Sequence, residues 1–169
     1  MIFSTVFFTG LLAATAAALP HRARDSGSGS VQFVNNMSDD VYMWTTSADP
    51  GEMQTLSGGG GTFSQAWQTN SNGGGISIKL STTTSDTDSV LQFEYTVDSD
   101  TLYWDMSSIN MDSSSDFVTN GFSVVPSDSS CTTATCAPGD TDCADSYQHP
   151  DDVNTLSCST SATYVVTLG

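Results

Sequence analysis

Residues 90–107 restrict the fold of this chain more than any other stretch. If Asp98-Ser99-Asp100-Thr101 closes a hairpin, Val97 falls opposite Leu102, Tyr95 opposite Trp104 and Phe93 opposite Met106. Strand side chains alternate between the two faces of a sheet, so these six apolar residues share one face. The other face then carries Gln92 against Ser107, Thr96 against Tyr103 and Glu94 against Asp105. A slip of one residue would mix the two sets, and well-matched cross-strand pairs each stabilise by about 0.2–1 kcal/mol. A chain built around this hairpin must bury one face and leave the other to water or ligand.

Other segments repeat the pattern. Val31 and Phe33, Val41 and Met43, and Ile76, Ile78 and Leu80 alternate with other residues at the two-residue period of a strand. Phe63, Gln65 and Trp67 share one side of a further strand, and residues 121–125 and 164–168 complete the set. Gly58 to Gly61, Asn72 to Gly75 and the polar run Ser81 to Ser89 read as turns and loops between them. No stretch past the leader keeps a helical period. The expected fold is all-β: an antiparallel β-sandwich over residues 31–169. Its length allows one domain, since domains run roughly 100–150 residues. Hydrophobic residues at 37 % against 13 % charged argue against a disordered chain.

The ends and the cysteines place the chain outside the cell. Residues 1–18 form an apolar run closed by Ala16-x-Ala18, the form of a secretory signal peptide, and are too short to span a bilayer, which needs about 20 apolar residues. Both arginines, Arg22 and Arg24, fall in the next six residues, so 19–24 is expected to be a basic pro-segment and the Ser/Gly-rich 25–30 a flexible linker. Cut after Arg24, the chain would hold one lysine against 19 carboxylates, a net of −18. That balance excludes nucleic acid and anionic membrane surfaces as partners, because phosphate recognition needs several cations. The four cysteines, Cys131, Cys136, Cys143 and Cys158, read as two disulfides rather than a zinc site, because no Cys-x2-Cys knuckle is present. Three pairings are open. The nested one, Cys131–Cys158 around Cys136–Cys143, is the working expectation, because its outer bridge would close the loop between the strand ending near Pro126 and the last strand. Asn36-Met37-Ser38 is a glycosylation sequon in an expected turn.

Glu94 facing Asp105 is the chemical focus. Two opposed carboxylates repel, so solvent, a shared proton, a cation or a polar ligand must compensate. Such a pair also equips glycoside hydrolysis, which leaves three readings: a solvated acidic face, a ligand-binding surface, or acid/base catalysis.

At these residues the chain resembles the thaumatin-like superfamily. Leu91-Gln92-Phe93-Glu94-Tyr95-Thr96-Val97 followed by Leu102-Tyr103-Trp104-Asp105-Met106-Ser107 is similar to that superfamily's hairpin, and Asn120-Gly121-Phe122-Ser123 to its following turn. Val31 to Asn36 with Val41-Tyr42-Met43-Trp44 resembles its opening hairpin. The pattern is most similar to the short fungal branch of antigenic thaumatin-like, or Blastomyces yeast-phase-specific, proteins. The resemblance implies a thaumatin-like β-sandwich with a disulfide-stapled C-terminal loop region, secretion, and association with cell-wall polysaccharide or a host-surface ligand. It implies an acidic face in which Glu94, Asp105 and Asn120 (or Asn110) stand at the family's acidic positions. The family's arginine has no counterpart, since no Arg follows Arg24. Binding of a β-glucan-like glycan without catalysis is therefore the leading expectation, with Tyr103 and Tyr42 as stacking partners. A weak β-glucan hydrolase using Glu94 as acid and Asp105 as its partner is the alternative, and a structural antigen or adhesion protein the third reading.

Other chemistries rank below these. A copper monooxygenase would need His21 at the mature N-terminus together with His149, and the expected cleavage sites leave Leu19 or Asp25 first. His149 lacks a Gly-x-Ser-x-Gly partner for triad chemistry. Met43 and Met106 are assigned to the core. Asp98, Asp100, Asp105, Asp112 and Asp116 make calcium a weak-binding candidate, but they lack EF-hand spacing and acidic loops are more often simply solvated, so the expectation is no metal and no cofactor. The chain is expected to be a monomer without a membrane span.

Overall fold

The computed structural model describes residues 29–48 and 51–169. The expected signal peptide and pro-segment, with His21, lie outside the described residues.

Among the described residues, eleven strands form two stacked sheets. They are β1 (Ser30–Asn35), β2 (Val41–Thr46), β3 (Gln54–Leu56), β4 (Gly61–Ala66), β5 (Ile76–Ser81), β6 (Leu91–Asp98), β7 (Thr101–Ser107), β8 (Phe122–Pro126), β9 (Ala134–Cys136), β10 (Leu156–Ser159) and β11 (Thr163–Leu168). One short helix, α1 (Asp116–Asn120), precedes β8. The five-stranded sheet runs β4-β1-β11-β8-β9 and the six-stranded sheet β10-β7-β6-β5-β2-β3. All strand pairs are antiparallel except one: β1 and β11, the first and last strands, pair in parallel from Ser30↔Thr163 to Asn35↔Leu168. Hydrophobic alternation says which face a strand buries but not the direction of its neighbour, so this departure from the purely antiparallel expectation had no local signal.

The β6–β7 hairpin adopts the register read from the sequence, with Phe93↔Met106, Tyr95↔Trp104 and Glu94↔Asp105. Its loop is tighter than expected. Asp98 still pairs with Thr101, leaving Ser99 and Asp100 as a two-residue turn, and Ser99 takes a left-handed φ of 54° to make it. Ser30 also differs from expectation. It is the first residue of β1, and Gly29 N–H donates to the Thr160 carbonyl at 2.7 Å, so the end of the 25–30 segment is pinned in the sheet.

The two inner faces meet in an aromatic core. Phe33 and Tyr164 from the five-stranded sheet and Phe93 and Trp104 from the six-stranded sheet are fully buried, and each such side chain contributes about 1.5–3 kcal/mol. Phe33 and Phe93 meet edge-to-face across the interface at 6.2 Å. Trp67, just past β4, sits among Phe93, Tyr95 and Tyr164 and donates its indole N–H to the Thr160 carbonyl at 3.0 Å. Met43 and Met106 are core residues, as expected.

The disulfides are nested, Cys131–Cys158 and Cys136–Cys143. The outer bridge ties the loop after β8 to β10, joining the margins of both sheets. Among the described residues no helix is long and apolar enough to cross a membrane.

Candidate functional site

The strand registers bring one polar row to the outer face of the six-stranded sheet. Thr46 pairs with Ser77, Ser77 with Glu94 and Glu94 with Asp105, a line across four adjacent strands. Each stands outward because its neighbours along the strand, such as Phe93, Tyr95, Trp104 and Met106, are committed to the core. The outer face of the five-stranded sheet offers nothing comparable: its registered rows, such as Val34–Thr167–Ser123 and Gln32–Val165–Val125, hold no charged residue.

Two loops narrow the open part of this face. Residues 82–89 fold over the far end of β5, where the buried Ser81 hydroxyl donates to the Asp88 carbonyl at 3.3 Å. On the other side, Tyr147 bridges to Ser107 beside β7, its N–H donating to the Met106 carbonyl at 2.9 Å and its carbonyl accepting from Ser108 N–H at 2.8 Å. Around the Thr46–Asp105 row lies a shallow depression of about 500 Å³ walled by Thr46, Ser77, Glu94, Thr96, Tyr103, Asp105 and Thr155. The Tyr147 hydroxyl shares a 2.8 Å hydrogen bond with Thr155 Oγ1 and fixes that wall. Tyr103 stands 44 % exposed at the rim.

The carboxylates are partly withdrawn from water and poorly compensated. Burial pushes the Glu94 carboxyl above its ordinary value, and the Ser77 hydroxyl and the Lys79 charge partly offset this. Ser77 has one proton to give, and Gln92 Oε1, at 3.1 Å, competes for it. Burial, and then the negative charge of Glu94, push Asp105 up to about 7. Asp105 Oδ1 is buried without a hydrogen-bond partner. Lys79, the one Lys or Arg among the described residues, stands opposite Gln92 in the next row and directs its ammonium to the Asp86 carbonyl at 3.0 Å. Both carboxyls are thus held above the ordinary carboxylate range, Asp105 by burial and then the charge of Glu94, Glu94 by burial.

The structure brings Glu94, Asp105 and Tyr103 together and separates the other candidates from them. Tyr42 is on the same sheet face but pairs with Ser81, two strands across and four residues along from Glu94, roughly 16 Å away by strand spacing and rise. It lines a different hollow with Asp39, Asp40 and Asp116. Asn120 ends α1 and donates to the Asp116 carbonyl at 2.8 Å, beside Phe122 and Pro138 in a third hollow. Asn110 is exposed, its carbonyl accepting from Val90 N–H at 2.9 Å.

Thr46, Ser77 and Thr155 were not singled out in the sequence. The first two follow once β2, β5 and β6 are registered on one another. Thr155 has no local signal, because β10 is held beside β7 by the long-range Cys131–Cys158 bridge.

The remaining features stay apart from this face. His149 is exposed in a turn where the Asp152 carboxylate accepts its backbone N–H at 2.8 Å. Among the described residues the one cluster with metal-ligand spacing is Asp128, Cys131 and Cys158, whose thiols are spent in the disulfide. Asn36 is exposed in the turn after β1, and its side-chain N–H donates to the Gly169 carbonyl at 3.2 Å.

Known proteins share this architecture and sequence. A family model for the Blastomyces yeast-phase-specific protein matches residues 16–169. The chain is 49 % identical over 170 residues to the secreted thaumatin-like protein calA of Emericella nidulans, covering all of this chain and 98 % of that one. It is 37 % identical over 141 residues to the antigenic thaumatin-like protein of Arthroderma benhamiae, covering 83 % and 70 %. Among solved structures, the protein elicitor MoHrip2 from Magnaporthe oryzae superposes with a TM-score of 0.68 at 26 % identity, over 83 % of this chain and 98 % of that one. The thaumatin-like xylanase inhibitor TLXI shares the fold at 11 % identity and a TM-score of 0.55, over 81 % and 97 %. The hairpin register, the two-sheet sandwich and these matches agree: the chain belongs to the Blastomyces yeast-phase-specific protein family of the thaumatin-like superfamily.

Proposed function

We propose that the protein is a secreted, monomeric cell-wall or cell-surface protein that binds glycan in the depression around Glu94 and Asp105 without cleaving it. The observation that carries this reading is the pair itself: two adjacent carboxylates, one with a buried oxygen lacking a donor, set among hydroxyls beside the half-exposed ring of Tyr103. Sugars supply hydroxyl donors for such acceptors and a CH face for the ring. Secretion is supported by the signal-like residues 1–18 and by the relative in Emericella nidulans named as secreted. The exposed Asn36 sequon fits the same route and would carry an N-glycan.

A second reading, weak β-glucan hydrolysis, has one favourable observation: Asp105 is held at about 7, as a general acid requires. The layout opposes it. Both carboxyls project side by side from one sheet face, whereas glycosidases flank the scissile bond with their two carboxyls. The test is a glycan array together with a reducing-sugar assay on laminarin. Binding without sugar release is expected. Release would establish the hydrolase, and neither binding nor release would leave a structural antigen or adhesion protein.

A further inference from the structure

We propose that the Glu94–Asp105 depression selects glycans carrying a free amine, binding a protonated 2-amino sugar in preference to neutral or acidic sugars. This rests on the glycan-binding reading of the site and names its ligand class.

The depression presents acceptors and negative charge but no fixed cation. Glu94 and Asp105 are direct cross-strand neighbours. Lys79 is one row away with its ammonium turned to a loop carbonyl. Asp105 Oδ1 is buried and receives no hydrogen bond, and burial, then the charge of Glu94, raises that residue to about 7. An ammonium carries three donors and one positive charge, so a single group can bridge both carboxyls. A neutral hydroxyl can satisfy one acceptor and leaves the repulsion in place. A uronic or phosphorylated sugar would bring further negative charge to the pair and is disfavoured.

The rest of the wall favours a sugar over a basic peptide. Thr46, Ser77, Thr96 and Thr155 place hydroxyls around the pair, and the Tyr103 ring offers a platform for a pyranose face. The net charge of −16 adds a field that draws cationic polymers toward the whole molecule.

The secreted protein would be titrated with a hexamer of β-1,4-linked glucosamine, its fully N-acetylated counterpart and a laminarin hexamer. All three would be run in one mildly acidic buffer at two salt concentrations. The free-amine hexamer should bind about tenfold more tightly than the acetylated one, the difference between a charge-assisted and a neutral hydrogen bond. Glu94→Gln with Asp105→Asn should abolish that preference. The charge-matched control Asp112→Asn with Asp142→Asn, at two exposed loop positions, should keep it. Circular dichroism on each variant separates loss of binding from loss of fold. Equal binding of all three hexamers would overturn the amine preference and leave glycan binding standing. Binding of none would remove both readings. Equal loss in the control double variant, or tighter binding of a pentalysine peptide than of the glucosamine hexamer, would show an unspecific polyelectrolyte effect and overturn the proposal.

Discussion

Asp105 couples the site to stability. Its pKa is raised in the folded state, so the native protein holds a proton that the unfolded chain releases. The sign follows from linkage: below about pH 4 both states are protonated and nothing is lost, and stability falls as pH rises from about 4 through about 7, then levels off. Glu94 acts in the same direction. Asp128 and Asp152, lowered by backbone N–H donors, act oppositely, their contribution being lost as pH falls through their depressed values. At pH values above 7, Asp105→Asn should therefore raise the unfolding free energy by on the order of 1 kcal/mol after solvent screening of a partly exposed pair, with little change at pH 4. Urea titrations of both proteins across that range check it. Ser107 gives a second residue-scale expectation. Its hydroxyl is buried without a partner, so Ser107→Ala should be neutral or stabilise by up to about 1 kcal/mol in the same assay. The carboxylate pair was legible in the sequence because register and alternation are local properties. The orphaned oxygen was not, since it depends on which loops cover the face.

At the scale of elements, the short ones were the hard ones to read. β3, β9 and β10 span three or four residues each and alternate too briefly to show a period. The helix α1 had a readable signal, Ser115 as N-cap accepting from Phe117 N–H and Gly121 just past the end, but five residues between two strands make a weak pattern. Gly121 is more than punctuation. Its φ is 77°, and a Cβ there would stand 2.7 Å from the Cys136 carbonyl oxygen and 2.9 Å from Pro138. Gly121→Ala should cost roughly 1–3 kcal/mol, measured as a shift in the urea midpoint. The two disulfides should differ in weight. The outer one spans 27 residues and the inner 7, so in the chain-entropy model their removal costs about 3.5 and about 2.4 kcal/mol respectively. Replacing Cys131 and Cys158 together by Ser should also release β10 and with it Thr155, weakening glycan binding. The Cys136 and Cys143 pair of substitutions should leave binding intact, as glycan titration would show.

The whole molecule is a strongly acidic sandwich whose charges repel one another. Screening should therefore stabilise it: raising NaCl from about 10 to about 150 mM shortens the Debye length from roughly 30 to 8 Å and should raise Tm by roughly 2–5 °C. A Tm that falls or stays flat would show that the carboxylates are individually solvated and contribute no net strain. The sequence by itself determined the all-β class, the faces of the long strands, the β6–β7 register and the meeting of Glu94 with Asp105, because each follows from the two-residue period of a strand and from contacts within one hairpin. Only the tertiary structure decided the parallel β1–β11 pair, the division into sheets of five and six, and the separation of Tyr42 and Asn120 from the carboxylates. Those outcomes depend on packing between segments up to 133 residues apart, such as Ser30 and Thr163, where many arrangements bury the same apolar faces and one fills the core.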